Sequence, residues 1–342
     1  MSTVESTPFL TVARISIAVI ALLAASHAPA QKAVKVPVLG LLSPHPEVLR
    51  PKDGRGVFTG ALWDLGWKEG GNLRIEPAIA DGREDQLPAL AAGLVRKRVD
   101  LIVAIGPEAA VAAARATKTI PIVFWGVGVP VEQGLVDSLA RPGRNATGIA
   151  WMADLEVAAK KLEFLRQIAP KAKRVAWIET PDAARAVSGG HVSSVREDLG
   201  QAARSMGYDL REYLVNRQED FDRVFAEILK SGAQAIAVRA TMLTWRERQR
   251  IADFARNNRL PSAFGSEDYA DSGGLYSYGV DWRATMPQTA ALVQKILRGA
   301  KPAEVPVELP TKYDLVINLR TARALGLTIP PSVLLRAARV IE

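Results

Sequence analysis

Few residues in this 342-residue sequence are equipped for bond-making chemistry. Cysteine is absent, which excludes thiolate nucleophiles, disulfides and thiolate metal sites. The three histidines, His27, His45 and His191, lie far apart, and no two have metal-ligand spacing. Ser43 stands two residues before His45, and Ser266 precedes Glu267 and Asp268. A serine beside a base can act as a nucleophile. Neither set belongs to a G-x-S-x-G elbow, and His45 has no evident orienting acid, so the sequence does not favour an enzyme. The run from Gly126 to Val131 begins like a dinucleotide fingerprint but ends on Val131, where Gly or Ala is required. A Walker A pattern is missing, and neither a metal nor a cofactor is expected.

What remains suits binding better than turnover. Arg239 terminates the apolar run Gln234 to Val238, where a guanidinium facing a cleft can grip a carboxylate through two parallel hydrogen bonds. The alternative is an ion pair with a neighbouring acid such as Glu179 or Glu267. Trp125, Trp151, Phe264, Tyr276 and Tyr278 fall at strand ends or crossings, where a ring either stacks on a ligand or joins the core.

The elements that must carry these groups alternate. Near-continuous apolar runs at 36–42, 73–80, 100–105, 120–125, 174–178, 208–215, 234–238 and 260–264 read as strands covered on both faces. Amphipathic stretches at 83–98, 108–117, 154–168, 190–206, 219–230 and 243–258 read as helices between them. The pattern predicts an α/β protein of two Rossmann-like, doubly wound lobes. The Gly- and Pro-rich segments 140–151 and 271–281, and the proline-spaced stretch 301–319, read as crossings between the lobes, which makes the lobes hinged and places a ligand cleft between them. The expected division gives lobe 1 residues 31–145 and 276–310, and lobe 2 residues 146–275 and 311–342.

In such sheets ligands bind beyond the carboxyl ends of the strands. That rule selects Ser43, Pro44, Gly106, Pro107, Glu108, Trp125 and Val129 in the first lobe. In the second it selects Glu179, Thr180, Arg239, Thr241, Phe264, Ser266, Glu267 and Tyr278.

The formal charge is +8, but the basic residues are spread along the chain and are not interleaved with aromatics, which argues against a nucleic-acid partner. The segment from Arg14 to Ala30 has a positive charge, a short apolar run and an A-x-A end, the marks of a cleavable secretory signal over residues 1–30. Its apolar run is shorter than the roughly 20 residues a membrane crossing requires.

Several blocks carry a family resemblance: LGLLSP at 39–44, GALWDLGWKEGGNLRIEP at 60–77, ATKTIPIVF at 116–124, GLVDSLARPGRNATGI at 134–149 and LVINLRTARALGLTIP at 315–330. The sequence resembles the ABC transporter substrate-binding family that includes tryptophan and tyrosine binders. The resemblance implies the type I periplasmic binding fold, a small solute carried between the lobes, and an ABC permease partner in the inner membrane; the expected state is a monomer. It implies a periplasmic location. Two positions depart from the family pattern. Val129-Pro130-Val131 stands where the family usually has D-P-V, and Arg239-Ala240-Thr241 where Pro or Asp is frequent. Losing an acid and gaining an arginine shifts the cleft towards anions, so the expected solute is carboxylate-bearing or aromatic. The competing readings are an enzyme acting in the same cleft and a ligand-sensing module for a membrane receptor.

Overall fold

The computed structural model describes residues 35–45, 56–151, 154–180 and 192–342. The signal segment, His27 and His191 lie outside them. Contacts divide the chain at Val36, and the unit from Pro37 to Glu342 contains every strand and helix described below.

Two sheets organise this unit. The first contains β1 (Val38–Ser43), β2 (Arg74–Ile79), β3 (Leu101–Ile105), β4 (Ile122–Val127) and β5 (Ala146–Ala150) in the order β2-β1-β3-β4-β5, all parallel. The second contains β6 (Arg174–Glu179), β7 (Asp209–Leu214), β8 (Ala235–Val238), β9 (Ser262–Phe264), β10 (Tyr276–Val280), β11 (Tyr313–Asn318) and β12 (Arg339–Ile341). Its order is β12-β11-β10-β9-β8-β6-β7, so β6 to β10 repeat the winding of the first sheet before antiparallel β11 and then β12 extend it. Each sheet therefore has a switch point, between β1 and β3 and between β6 and β8, where the crossover helices diverge to opposite faces and leave a crevice.

The helices are α1 (Val57–Asp64), α2 (Leu87–Arg96), α3 (Pro107–Ala116), α4 (Asp154–Ile168), α5 (Val192–Ser205), α6 (Asp220–Lys230), α7 (Met242–Arg246), α8 (Arg248–Asn257), α9 (Glu267–Asp271), α10 (Trp282–Leu297), α11 (Leu319–Ala324) and α12 (Pro331–Leu334). Strand side chains alternate between faces. Leu101, Val103 and Ile105 of β3 therefore join the core under α1 and α10, while Ile102 and Ala104 join the one under α2 and α3. In β6 and β8, Val175, Trp177, Ala235 and Ala237 pack towards α4, and Ala176, Ile178, Ile236 and Val238 towards α6 and α8. Each fully buried Val, Leu or Ile contributes roughly 1.5–3 kcal/mol. Among the described residues no helix is long and apolar enough to cross a membrane.

Three passages connect the lobes, at shorter and later points than the sequence suggests. Ala146–Ala150, read as part of a crossing and given to lobe 2, is the last strand of the first sheet. Its small residues have a packing reason: a methyl on Gly148 would lie 2.0 Å from the Phe124 carbonyl oxygen. Tyr276–Val280, given to lobe 1, pairs with β9 and β11 in the second sheet. The chain then enters α10, whose Met286, Ala290, Leu292 and Val293 pack on the first sheet. It returns along β5, where Glu308 bridges Ile149, before joining β11. The helix expected over 243–258 divides at Glu247 into α7 and α8.

At the carboxyl ends of β9 and β10 the backbones touch: a Cβ on Gly279 would lie 1.9 Å from the Gly265 carbonyl oxygen. Overpacking against rigid backbone typically costs about 1–3 kcal/mol. Gly279→Ala is expected to lower the urea unfolding midpoint accordingly. Gly71→Ala, whose methyl meets nothing nearer than 3.4 Å, is expected to leave the midpoint in place.

Candidate functional site

At the first switch point the turn after β1 is closed on itself. Ser43 Oγ donates to the His45 carbonyl at 2.8 Å and accepts from the His45 amide at 3.2 Å, with Ser43, Pro44 and His45 all buried. The hydroxyl proton is thus committed to the backbone, which removes the nucleophile suggested by the Ser43 and His45 spacing. Across from it, Gly106 adopts φ +84° and starts α3, with Pro107 at the first helical position and no side chain capping the turn. Glu108 and Val129 are half-buried.

Trp125 points to the α10 face of its sheet. Its Nε1 donates to Thr285 Oγ1 at 2.7 Å, and its ring meets Trp151 and Trp282 edge-to-face at 4.8 and 6.4 Å. Trp151, at the end of β5, is half-buried and its Nε1 is out of solvent with no acceptor among the described residues. An unmade hydrogen bond of that kind costs about 1–3 kcal/mol.

At the second switch point Glu179 and Arg239 meet on the α4 side of the sheet, Arg239 Nη1 to Glu179 Oε2 at 3.3 Å. Burial and the hydrogen bond that its protonated form donates to Glu212 on β7 outweigh the guanidinium and push the Glu179 carboxyl up to about 7. Lys161 of α4 lies on the same face, its ammonium 4.8 Å from the Trp177 ring and donating to the Val238 carbonyl. Thr180 is half-buried at the end of β6. Thr241 is occupied in a capping box with Thr244 at the start of α7. Two expected rings belong to the core: Phe264 is fully buried and stacked on Tyr269, and Tyr278 packs between Phe164 and Tyr313.

The two sets of strand ends are joined by a carboxylate. Asp268 Oδ2 accepts from Trp245 Nε1 at 3.0 Å, Trp282 Nε1 at 3.2 Å and Ser266 Oγ at 3.1 Å, while Oδ1 accepts from Arg283 at 3.2 Å. Burial alone would raise its pKa, but the Trp245 indole, the Arg283 charge and Ser266 hold it below the usual carboxylate value. Glu267 beside it pairs with Arg283 and Arg339. Farther along the same opening, Arg246 of α7 lies over Gly82, which follows β2. Groups from the carboxyl ends of both sheets thus face one another. By contrast, the hollow lined by Asp222, Phe225, Arg250 and Phe254 and the one lined by Thr59, Trp63, Trp67 and Ile75 each draw on one lobe alone.

Residues 35–341 match the family model of the ABC transporter substrate binding proteins. The chain belongs to that family. Its members bind a small solute outside the cytoplasm and work with an ABC permease. Similar proteins include a tyrosine-binding protein of Clostridioides difficile, 28% identical over 284 residues that cover 83% of this chain and 78% of the relative. A conserved domain protein from Vibrio cholerae is 28% identical with a TM-score of 0.78, covering 90% of this chain and 100% of that one. A domain from Streptococcus pneumoniae solved with L-Trp has a TM-score of 0.77 at 24% identity, with 90% and 100% covered. The doubly wound, two-lobed fold is that of these substrate-binding proteins.

Sequence reasoning did not single out Asp268 as a junction, nor Trp245, Trp282, Arg283 or Arg246. Asp268 was visible only as a neighbour of Ser266, because its partners come from three separate elements. The two buried acids give opposite pH signatures. Glu179, raised to about 7 from 4.5, supplies stability that is complete below its unfolded value and is lost as pH rises through 7. The slope in that window is on the order of 1 kcal/mol per pH unit. Thermal unfolding is expected to fall between pH values of about 5 and 8, and Glu179→Gln is expected to flatten that fall.

Proposed function

We propose that this family member is a periplasmic carrier of a small organic carboxylate with a flat ring, held between the lobes and handed to an inner-membrane permease. Residues 1–30 are its cleavable export signal. The carrier acts as a monomer, takes no nucleic acid and returns its solute unchanged.

One observation carries the ligand class: Trp125, Trp151 and Trp282 form an aromatic wall where the two lobes meet, and the buried Trp151 Nε1–H has no acceptor among the described residues. Such a wall offers a ring an edge or a face, and the indole N–H offers an acceptor a partner. The names of the similar proteins, a tyrosine binder and a structure with L-Trp, support an aromatic solute. The acids argue against a requirement for an ammonium group. Position 129 is valine, Glu179 is engaged by Arg239 and Glu212, and all four donors around Asp268 belong to the protein.

Calorimetry with desaminotyrosine, which is tyrosine without its amino group, and with tyramine, which lacks the carboxylate, tests this. Desaminotyrosine is expected to bind one per chain and at least about tenfold more tightly than tyramine, given the strength of a charge-assisted hydrogen bond. Chromatography of the recovered compound should show it unaltered. Equal binding of tyramine would refute the carboxylate requirement, and a product would refute a pure carrier.

A further inference from the structure

Arg239 occupies the position from which an arginine would grip an anion, yet it is held by Glu179 on the α4 side of the second sheet. Another guanidinium is placed differently. Arg246, the last residue of α7, is exposed, and among the described residues it has no hydrogen-bond or ion-pair partner. Its Nη1 lies 2.4 Å from the point a Cβ on Gly82 would occupy, and His45 Cε1 lies 3.6 Å from that same point. Gly82 and His45 belong to the first lobe and Arg246 to the second, so the guanidinium reaches across the opening between the two sets of strand ends.

Both sides of this contact are built. Asp81 and Gly82 both have positive φ, +49° and +80°, in a turn whose Gly82 amide donates to the Pro44 carbonyl at 2.9 Å. At position 82 the positive φ favours glycine, and the missing Cβ leaves the space that the Arg246 guanidinium tip occupies. On the other side, α7 is fixed by the Thr241 capping box, by the hydrogen bond from Trp245 to Asp268, and by Arg248, which stacks 4.3 Å from the Trp245 ring. A short helix held at its start and along its last turn presents Arg246 with little freedom to lose.

We propose that Arg246 is the anion-gripping residue of the cleft, taking the solute's carboxylate against the Gly82 turn of the opposite lobe. This rests on the proposed preference for a carboxylate. A carboxylate bound there touches both lobes at once, so its binding energy favours the closed arrangement over the open one. The fork of a guanidinium suits that group, and its unused donors cost nothing to redirect.

Calorimetry with desaminotyrosine on the wild-type protein, Arg246→Ala, Arg246→Lys and Asp81→Asn tests the assignment. Arg246→Ala is expected to weaken binding by about 10- to 100-fold, the loss of a charge-assisted hydrogen bond, with Arg246→Lys between it and wild type. The unfolding temperature of Arg246→Ala should match wild type, since the side chain is exposed and unpaired. Asp81→Asn should bind as wild type does. Wild-type affinity in Arg246→Ala overturns the assignment while leaving the carboxylate preference intact. A loss in Asp81→Asn equal to that in Arg246→Ala also overturns it, by assigning the arginine to an ion pair between lobes. Failure of the wild-type protein to prefer desaminotyrosine over tyramine overturns both.

Discussion

The carboxylate of Asp268 is where this molecule's two halves are fastened. It collects two indole N–H groups, a hydroxyl and a guanidinium in a buried setting, and hydrogen bonds to a charged acceptor contribute roughly 1.5–3 kcal/mol each. Trp282 and Arg283 stand at the start of α10, the helix that packs on the first sheet, whereas Asp268 lies in α9, between β9 and β10 of the second. The Trp282 ring meets Trp125, so one side of the same indole belongs to the first lobe's aromatic wall while its N–H is tied to the second. Trp245 is held by the same oxygen, which fixes α7 and with it the direction of Arg246.

Two buried acids in the second lobe, one at the end of β6 and one just after β9, meet different fates. Glu179 faces another carboxyl group as well as a guanidinium, and burial tips it towards the protonated form. Asp268 faces donors on every side, and they offset its burial. Neither is left as a bare negative charge in the opening, where Arg246 stands as an exposed cation. The proposed preference for an anion over an ammonium ion rests on that contrast.

The alternation of apolar runs and amphipathic stretches made the two doubly wound lobes legible, and strand ends led to Ser43, Gly106, Glu179 and Arg239 at the switch points and to Trp125 near the end of β4. The pairing of Arg239 with Glu179 was one of the two outcomes open from sequence. The boundaries were less legible. β5 reads as a loop because Gly148 must lie against the Phe124 backbone, and β10 reads as a crossing because Gly279 must lie against Gly265. Steric demands for glycine look like turn signals in a sequence. Phe264 and Tyr278 were misplaced for a related reason: a ring at a strand end can turn into the core or out of it, and only the neighbouring layer decides. The partners of Asp268 and the meeting of Arg246 with Gly82 join residues distant along the chain, so no local spacing announces them.

The Trp151 indole gives the most direct view of whether a solute is received at this junction. In nitrogen-15 spectra of the indole N–H groups, the seven tryptophans report separately, and those of Trp125, Trp245 and Trp282 are already bonded within the protein. Titration with desaminotyrosine is predicted to move the Trp151 N–H resonance downfield as an acceptor arrives, while the Trp245 resonance, held by Asp268, stays in place. Saturable binding with the Trp151 resonance unmoved would contradict the account.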